Sequence, residues 1–82
     1  MKIAIRYFAS VRESLGAGES AETQAPTLAA LRDELIARGE PHASALARGK
    51  AVRMALDQVM CAETAALAEG AEVAFFPPVT GG

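Results

Sequence analysis

The chain closes on Glu72-Val73-Ala74-Phe75-Phe76-Pro77-Pro78-Val79-Thr80-Gly81-Gly82, and the carboxylate of Gly82 is the group best placed to do chemistry. A carboxylate is inert as an acyl donor, because its oxygen is a poor leaving group. A partner that adenylates it with ATP would make it reactive. Pro77 and Pro78 carry no N–H for a β-ladder, so the strand before them must stop. Two adjacent prolines also hold the chain extended. From Pro77 to Gly82 an extended segment reaches roughly 20 Å at ~3.3–3.6 Å per residue. Such an arm, with Val79 and Thr80 in its middle, suits threading a carboxylate into a narrow tunnel of another protein. Side chains at Gly81 or Gly82 would clash there, and glycine adopts whatever backbone angles the tunnel demands.

Other reactive residue types form no constellation. His42 follows Pro41 with no Cys, second His or carboxylate at a ligand spacing, so no metal site is expected. Cys61 has no His near it in sequence and reads as a small buried thiol. Glu63 and Glu69 read as solvated loop charges. Gly16-Ala17-Gly18-Glu19-Ser20 has too few glycines to cradle phosphate, and no Lys-Ser/Thr follows. No complete active site is expected within the chain, and no bound cofactor.

The elements that must carry the arm fit one small domain over residues 1–76, with 77–82 as the extended tail. At 82 residues the chain supports one thin core, hiding roughly 60–65% of its unfolded surface. A binding or carrier module suits that size better than a deep pocket. Net charge is −2 with scattered Arg and Lys, which disfavours nucleic acid. No run approaches the ~20 apolar residues of a membrane span. The opening Met1–Ser14 alternates like a strand and is broken by Arg6, unlike a signal peptide. A single cysteine suits a reducing compartment, so the cytoplasm is expected.

Lys2 to Phe8 alternates, with Ile3, Ile5 and Tyr7 on the core side and Phe8 out of phase on the other. Ser10 and Glu13 have capping-box spacing for a short helical turn closed at Gly16. Glu19–Ala25 is polar and plausible only as an edge strand. Thr27 is an N-cap, and Leu28, Leu31, Leu35 and Ile36 form one apolar stripe. Arg32, Asp33 and Arg38 lie off that stripe, and Gly39 ends the helix. Pro41 starts a shorter helix through Leu46. Val52–Leu56, a turn at Asp57-Gln58 and Val59–Cys61 form a hairpin. Residues 62–71 connect to the last strand, Glu72–Phe76. The order is α+β, with the first and last strands paired centrally. On the open sheet face Phe8 and Phe76, widened by Ala4, Ala74 and Met60, form a contiguous apolar patch, which asks for a partner. Arg12 is a further candidate to meet acidic groups there.

The element order resembles the ubiquitin-like β-grasp fold, a mixed five-stranded sheet with one main helix on one face and a short second helix. The ending from Glu69 to Gly82, and the opening Tyr7–Gly16, resemble the family of small sulfur-carrier subunits of molybdopterin synthase. The similarity covers essentially the whole chain. It departs where the family often has Asn at Asp57, an acid at Ala71 and Pro at Ala66. The resemblance implies that a ubiquitin-activating-type enzyme adenylates Gly82 and that a persulfide donor converts it to a thiocarboxylate. The large synthase subunit, in a heterotetramer, then uses that sulfur on cyclic pyranopterin monophosphate. It also implies that Phe8, Met60 and Phe76 meet the large subunit, and that Pro77 to Gly81 lie against partners. A thiamine-pathway sulfur carrier and a protein modifier are the alternatives of the same fold, and fold alone does not choose among them.

Overall fold

The computed structural model describes residues 1–78. Among these, five strands and three helices follow in the order β1 (Lys2–Tyr7), α1 (Ala9–Leu15), β2 (Gly18–Glu22), α2 (Leu28–Ala37), α3 (His42–Ala45), β3 (Arg53–Leu56), β4 (Val59–Cys61) and β5 (Glu72–Phe76). The strands form one sheet in the order β2-β1-β5-β3-β4. β1 and β5 run parallel, with Ile5 beside Val73 and Tyr7 beside Phe75. The other pairings are antiparallel. The first and last strands are therefore central neighbours, and the polar β2 is an edge, as the residue patterns predict.

Alternation divides the sheet into two faces. Ile3, Ile5, Tyr7, Val73 and Phe75 are all buried against Val11, Leu28, Leu31, Leu35 and Leu46 from the helical layer. Tyr7 and Phe75 stack with ring centroids 6.2 Å apart. α2 starts where Thr27 Oγ1 accepts the Ala30 N–H, the capping that the sequence predicts. Its freed N–H groups at Leu28 and Ala29 donate to the carbonyls of Ala65 and Glu63. The connection from β4 to β5 thus closes the helix end as well as crossing the fold. Gly39, at φ +90°, ends α2 in the left-handed region.

Three expectations need correction. Ser10 does not cap α1. The helix begins directly after β1, with Phe8 as N-cap and no side-chain capping bond. The Phe8 carbonyl accepts from Val11 and Arg12 instead, so Ser10 lies inside the helix, and α1 is a third helix rather than a single turn. Arg32 does not lie in solvent. It is 4% exposed, and its Nε donates to the Leu46 carbonyl at 2.8 Å while Nη2 donates to Ala47 at 2.7 Å. A long aliphatic stem lets the guanidinium reach past the apolar stripe to the Leu46 carbonyl and to the Ala47 carbonyl, which also accepts the Lys50 N–H. Glu63 is not a free loop charge: it takes Arg48 at 2.7 Å and lies 3.6 Å from Arg32.

The β3–β4 turn has Asp57 at φ +50° and Gln58 at φ +70°, a two-residue reversal matched to strand twist. The Asp57 carboxylate also accepts the Glu72 N–H at 2.9 Å, so an acid serves at this turn. Ala71, where the family pattern has an acid, is buried.

A polar cluster closes the β1–β2 side. The Tyr7 hydroxyl donates to Glu19 Oε2 at 2.9 Å and Arg38 donates to Glu19 Oε1 at 2.7 Å. His42 Nε2 stands 3.4 Å from the same carboxylate. Burial alone would raise the Glu19 pKa, but bonds from Arg38, Tyr7 and His42 outweigh it and hold the carboxyl below its ordinary 4.5. Burial, reinforced by Glu19, pushes the Tyr7 hydroxyl up.

Two expected outcomes follow from this packing. A Cβ at Gly18 would stand against the Ile5 carbonyl oxygen, a backbone atom with no room to move aside. Gly18→Ala should therefore cost about 1–3 kcal/mol in urea unfolding. A change under about 0.5 kcal/mol, no more than an ordinary surface substitution, would contradict this packing. The depressed Glu19 pKa means that its contribution is complete above the ordinary carboxylate value and is lost as pH falls through the folded value. Glu19→Gln should be less stable at neutral pH and lose less stability than the parent between about pH 6 and about pH 3. Parallel pH curves for the two proteins would show that the cluster does not titrate as described.

Candidate functional site

The face of the sheet opposite the helices is built by the other half of each strand. β1 contributes Ala4 and Arg6, and Phe8 follows directly; β5 contributes Glu72, Ala74 and Phe76. Ala55 of β3 lies beside Ala74 on one flank and Met60 on the other. Ala55 is 7% exposed yet outside the helical-side core. It is buried by the large side chains that stand over this open face. Phe8, Met60, Phe76, Ala55 and Ala74 line one shallow cavity together with Arg6, Gln58 and Glu72.

Phe8 is 42% exposed and Met60 65%, while Phe76 is half-buried. All three helices pack on the far side, so no described element covers this patch. The structure thus brings Phe8 and Phe76 into one surface, as their phase along the strands predicts, and Met60 of the return strand joins them. Ala4 lies apart from it, lining a neighbouring groove with Gly18 and Ser20.

The electrostatics of the face are sparse. Arg6 Nε donates to Glu72 Oε2 at 3.1 Å across the β1–β5 pair. Arg12 is exposed on α1, one helical turn beyond Phe8, whose carbonyl accepts its N–H. Pro77 and Pro78 are half-buried. Pro77 lines a small groove together with Ser10, Ser14, Lys50 and Val52, so it stands near both α1 and the α3–β3 loop. Val79, Thr80, Gly81 and Gly82 lie outside the described residues.

His42 and Cys61 have structural surroundings. His42 sits edge-on to Tyr7 with centroids 6.4 Å apart. Cys61 is half-buried against the core. No group of three or more His, Cys, Asp or Glu that could hold a metal occurs among the described residues. No described helix is long and apolar enough to cross a membrane. Reading residues alone did not find Ala55 as the floor of the patch, since alanine in a strand carries no directional signal.

The ThiS family profile matches residues 5–82. The chain belongs to the ThiS family. It is 43% identical to the molybdopterin synthase sulfur carrier subunit of Escherichia coli over 82 residues, covering 98% of this chain and 99% of that protein. Identity to the protein of the same description from Haemophilus influenzae is 38% over 79 residues, with 95% and 96% covered. The resemblance carried by the two ends of the sequence therefore extends across the whole chain. Among solved structures, subunits 1 and 2 of the molybdopterin-converting factor of Helicobacter pylori form a protein–protein complex; the match has a TM-score of 0.68 at 22% identity over the full length of both chains. The small archaeal modifier protein 1 of Haloferax volcanii matches with a TM-score of 0.73 at 21% identity, covering 95% of this chain and 98% of that one. At such identities these likenesses establish the ubiquitin-like β-grasp fold, which the element order predicts.

The two faces of the sheet make a direct comparison of burial possible. Phe75→Ala should destabilise by about 3–5 kcal/mol, the range for emptying a core aromatic site. Phe8→Ala and Met60→Ala should each stay within about 0.5 kcal/mol. Thermal and urea unfolding of the three variants measure this. Comparable losses at Phe8 and Phe75 would mean that the open face contributes to the core.

Proposed function

We propose that this protein is a sulfur carrier for molybdopterin synthesis, acting as the small subunit of molybdopterin synthase. Full-length identity of 43% to a protein of that description carries the reading. The exposed apolar patch beside the outgoing strand supports it, because a carrier must dock on the enzymes that charge and discharge it. Residues 77–82 act as an arm, and the carboxyl of Gly82 is the cargo site.

The chemistry proceeds in three transfers. A ubiquitin-activating-type enzyme joins the Gly82 carboxylate to the α-phosphorus of ATP, releasing pyrophosphate. The terminal sulfur of a persulfide donor then displaces AMP to give an acyl disulfide. A second thiol of the donor cleaves that S–S bond and is itself oxidised to a disulfide, and Gly82 ends as a thiocarboxylate. In the large subunit the thiocarboxylate sulfur passes to cyclic pyranopterin monophosphate, and hydrolysis returns the Gly82 carboxylate. The catalytic groups for these steps belong to the partners. This chain contributes the acyl terminus, glycines slim enough for a tunnel, and prolines that stop the sheet.

The docking role falls to Phe8, Met60 and Phe76, with Arg12 nearby. Burying one such phenylalanine against a partner contributes about 1.5–3 kcal/mol. The large subunit and the activating enzyme both have to meet the base of the arm, so one patch serves both in turn.

Intact-mass analysis of protein purified from its own host tests the reading. A fraction heavier by the exchange of one oxygen for sulfur at Gly82 is expected, and deletion of Gly82 should abolish molybdopterin formation while leaving thermal unfolding unchanged. Conjugates of this chain to lysines of many proteins, with no sulfur-bearing form, would assign it to protein modification instead.

A further inference from the structure

The patch has a charge pattern that the apolar side chains alone do not explain. β5 leaves the sheet between two strands, and each sets an arginine beside it on the open face. Arg6 of β1 is the register partner of Ala74. Arg53 of β3 is the register partner of Phe76. Arg53 shares its face with Ala55, two residues on, because the intervening Met54 is buried in the core. Both arginines are exposed, Arg6 with 61% of its side chain accessible.

The balancing acids lie elsewhere or are already engaged. Glu72, the acid of β5, receives Arg6 Nε, and the two terminal nitrogens of Arg6 make no hydrogen bond among the described residues. Arg53 makes no ion pair or side-chain hydrogen bond among the described residues. At the far end of the sheet Lys2 stands across from Glu22, and Glu22 lies 3.6 Å from the amino terminus. A chain of net charge −2 thus presents cationic groups on both sides of its outgoing apolar strand.

We propose that Arg6 and Arg53 form a cationic bracket that pairs with carboxylates bordering an apolar groove of the large synthase subunit. The partner surface inferred is an apolar slot that takes Phe8, Phe76 and Met60, with an Asp or Glu on each flank. The bracket rests on the carrier reading above, and it adds what the patch by itself lacks. Apolar contact is non-directional, whereas a charge on each side of β5 fixes the angle at which the arm is presented. Rim charges of this kind act chiefly on encounter rate and on rejection of wrong partners. Arg53 is the more diagnostic of the two, since it pairs with no other charge among the described residues.

The test uses the full chain and the purified large subunit of the synthase from the same host, with association followed by stopped-flow at two ionic strengths. At ~0.01 M salt the screening length is ~30 Å, and at ~1 M it is ~3 Å. Arg53→Glu should lower kon about tenfold at low salt and converge on the parent at high salt. Arg53→Lys should restore most of the rate, which a purely steric role would not allow. Arg6→Gln should show a smaller loss in the same direction, and thermal unfolding of each variant checks that the fold persists. Equal rates and equal salt slopes for the parent and Arg53→Glu would overturn the bracket while leaving the carrier reading in place. Absence of binding by the parent itself would overturn both.

Discussion

The parallel pairing of β1 with β5 is the constraint on which the rest depends. It joins the two ends of the described chain in the middle of the sheet, with Ile5 beside Val73 and Tyr7 beside Phe75. Strand side chains alternate, so one backbone pairing sets two surfaces at once. The inward half carries the buried residues of largest volume, Tyr7 and Phe75. The outward half carries Arg6 and Ala74, with Phe8 and Phe76 at the exit. A slip of one residue would exchange these sets and bury an arginine in place of a tyrosine. The core therefore enforces the geometry of the open face, the one proposed to dock, without touching it.

One covered face is what a chain of this size can build. Three short helices on a single side hold the core, and Arg32 keeps their connections in place by serving the Leu46 and Ala47 carbonyls. That bonding matters because a buried carbonyl such as that of Leu46 is costly to leave without a partner. The β4–β5 connection plays the matching role at the other end of α2 through the Glu63 and Ala65 carbonyls. With the helical side consolidated in this way, no described element is left to cover the second face. An antiparallel or mixed sheet tolerates that exposure, and here the exposure is useful.

The division of labour for a carrier follows. A cargo terminus needs freedom from side chains, whereas docking needs a rigid, specific surface. The first requirement is met by glycines and prolines at the chain end and the second by strands in the sheet centre. Only five residues separate Phe76 from Gly82, so under the proposed function recognition at the patch would bring Gly82 within one short reach. The Arg6–Glu72 pair lies across the same strands, which ties the charge pattern of the face to the β1–β5 register.

Much of this was legible from residue types alone. The alternation of Lys2–Phe8 and Glu72–Phe76 identified core and open faces, Thr27 and Gly39 marked the ends of α2, and Asp57-Gln58 marked the hairpin. These signals are local, because period, capping and turn chemistry act over a few residues. The errors came where partners are distant in sequence. Ser10 has the spacing of a cap, but the strand-to-helix junction at Phe8 pre-empted it. Arg32 reads as a surface residue until the carbonyls of the loop some fifteen residues later come within its reach. Ala55 and Arg53 gained meaning only from the β3–β5 register. The sequence by itself determined which residues prefer water, which must turn and where prolines stop the last strand. The tertiary structure decided which of them become neighbours, since strand order and register depend on closing a common core over long separations and no local pattern encodes that closure.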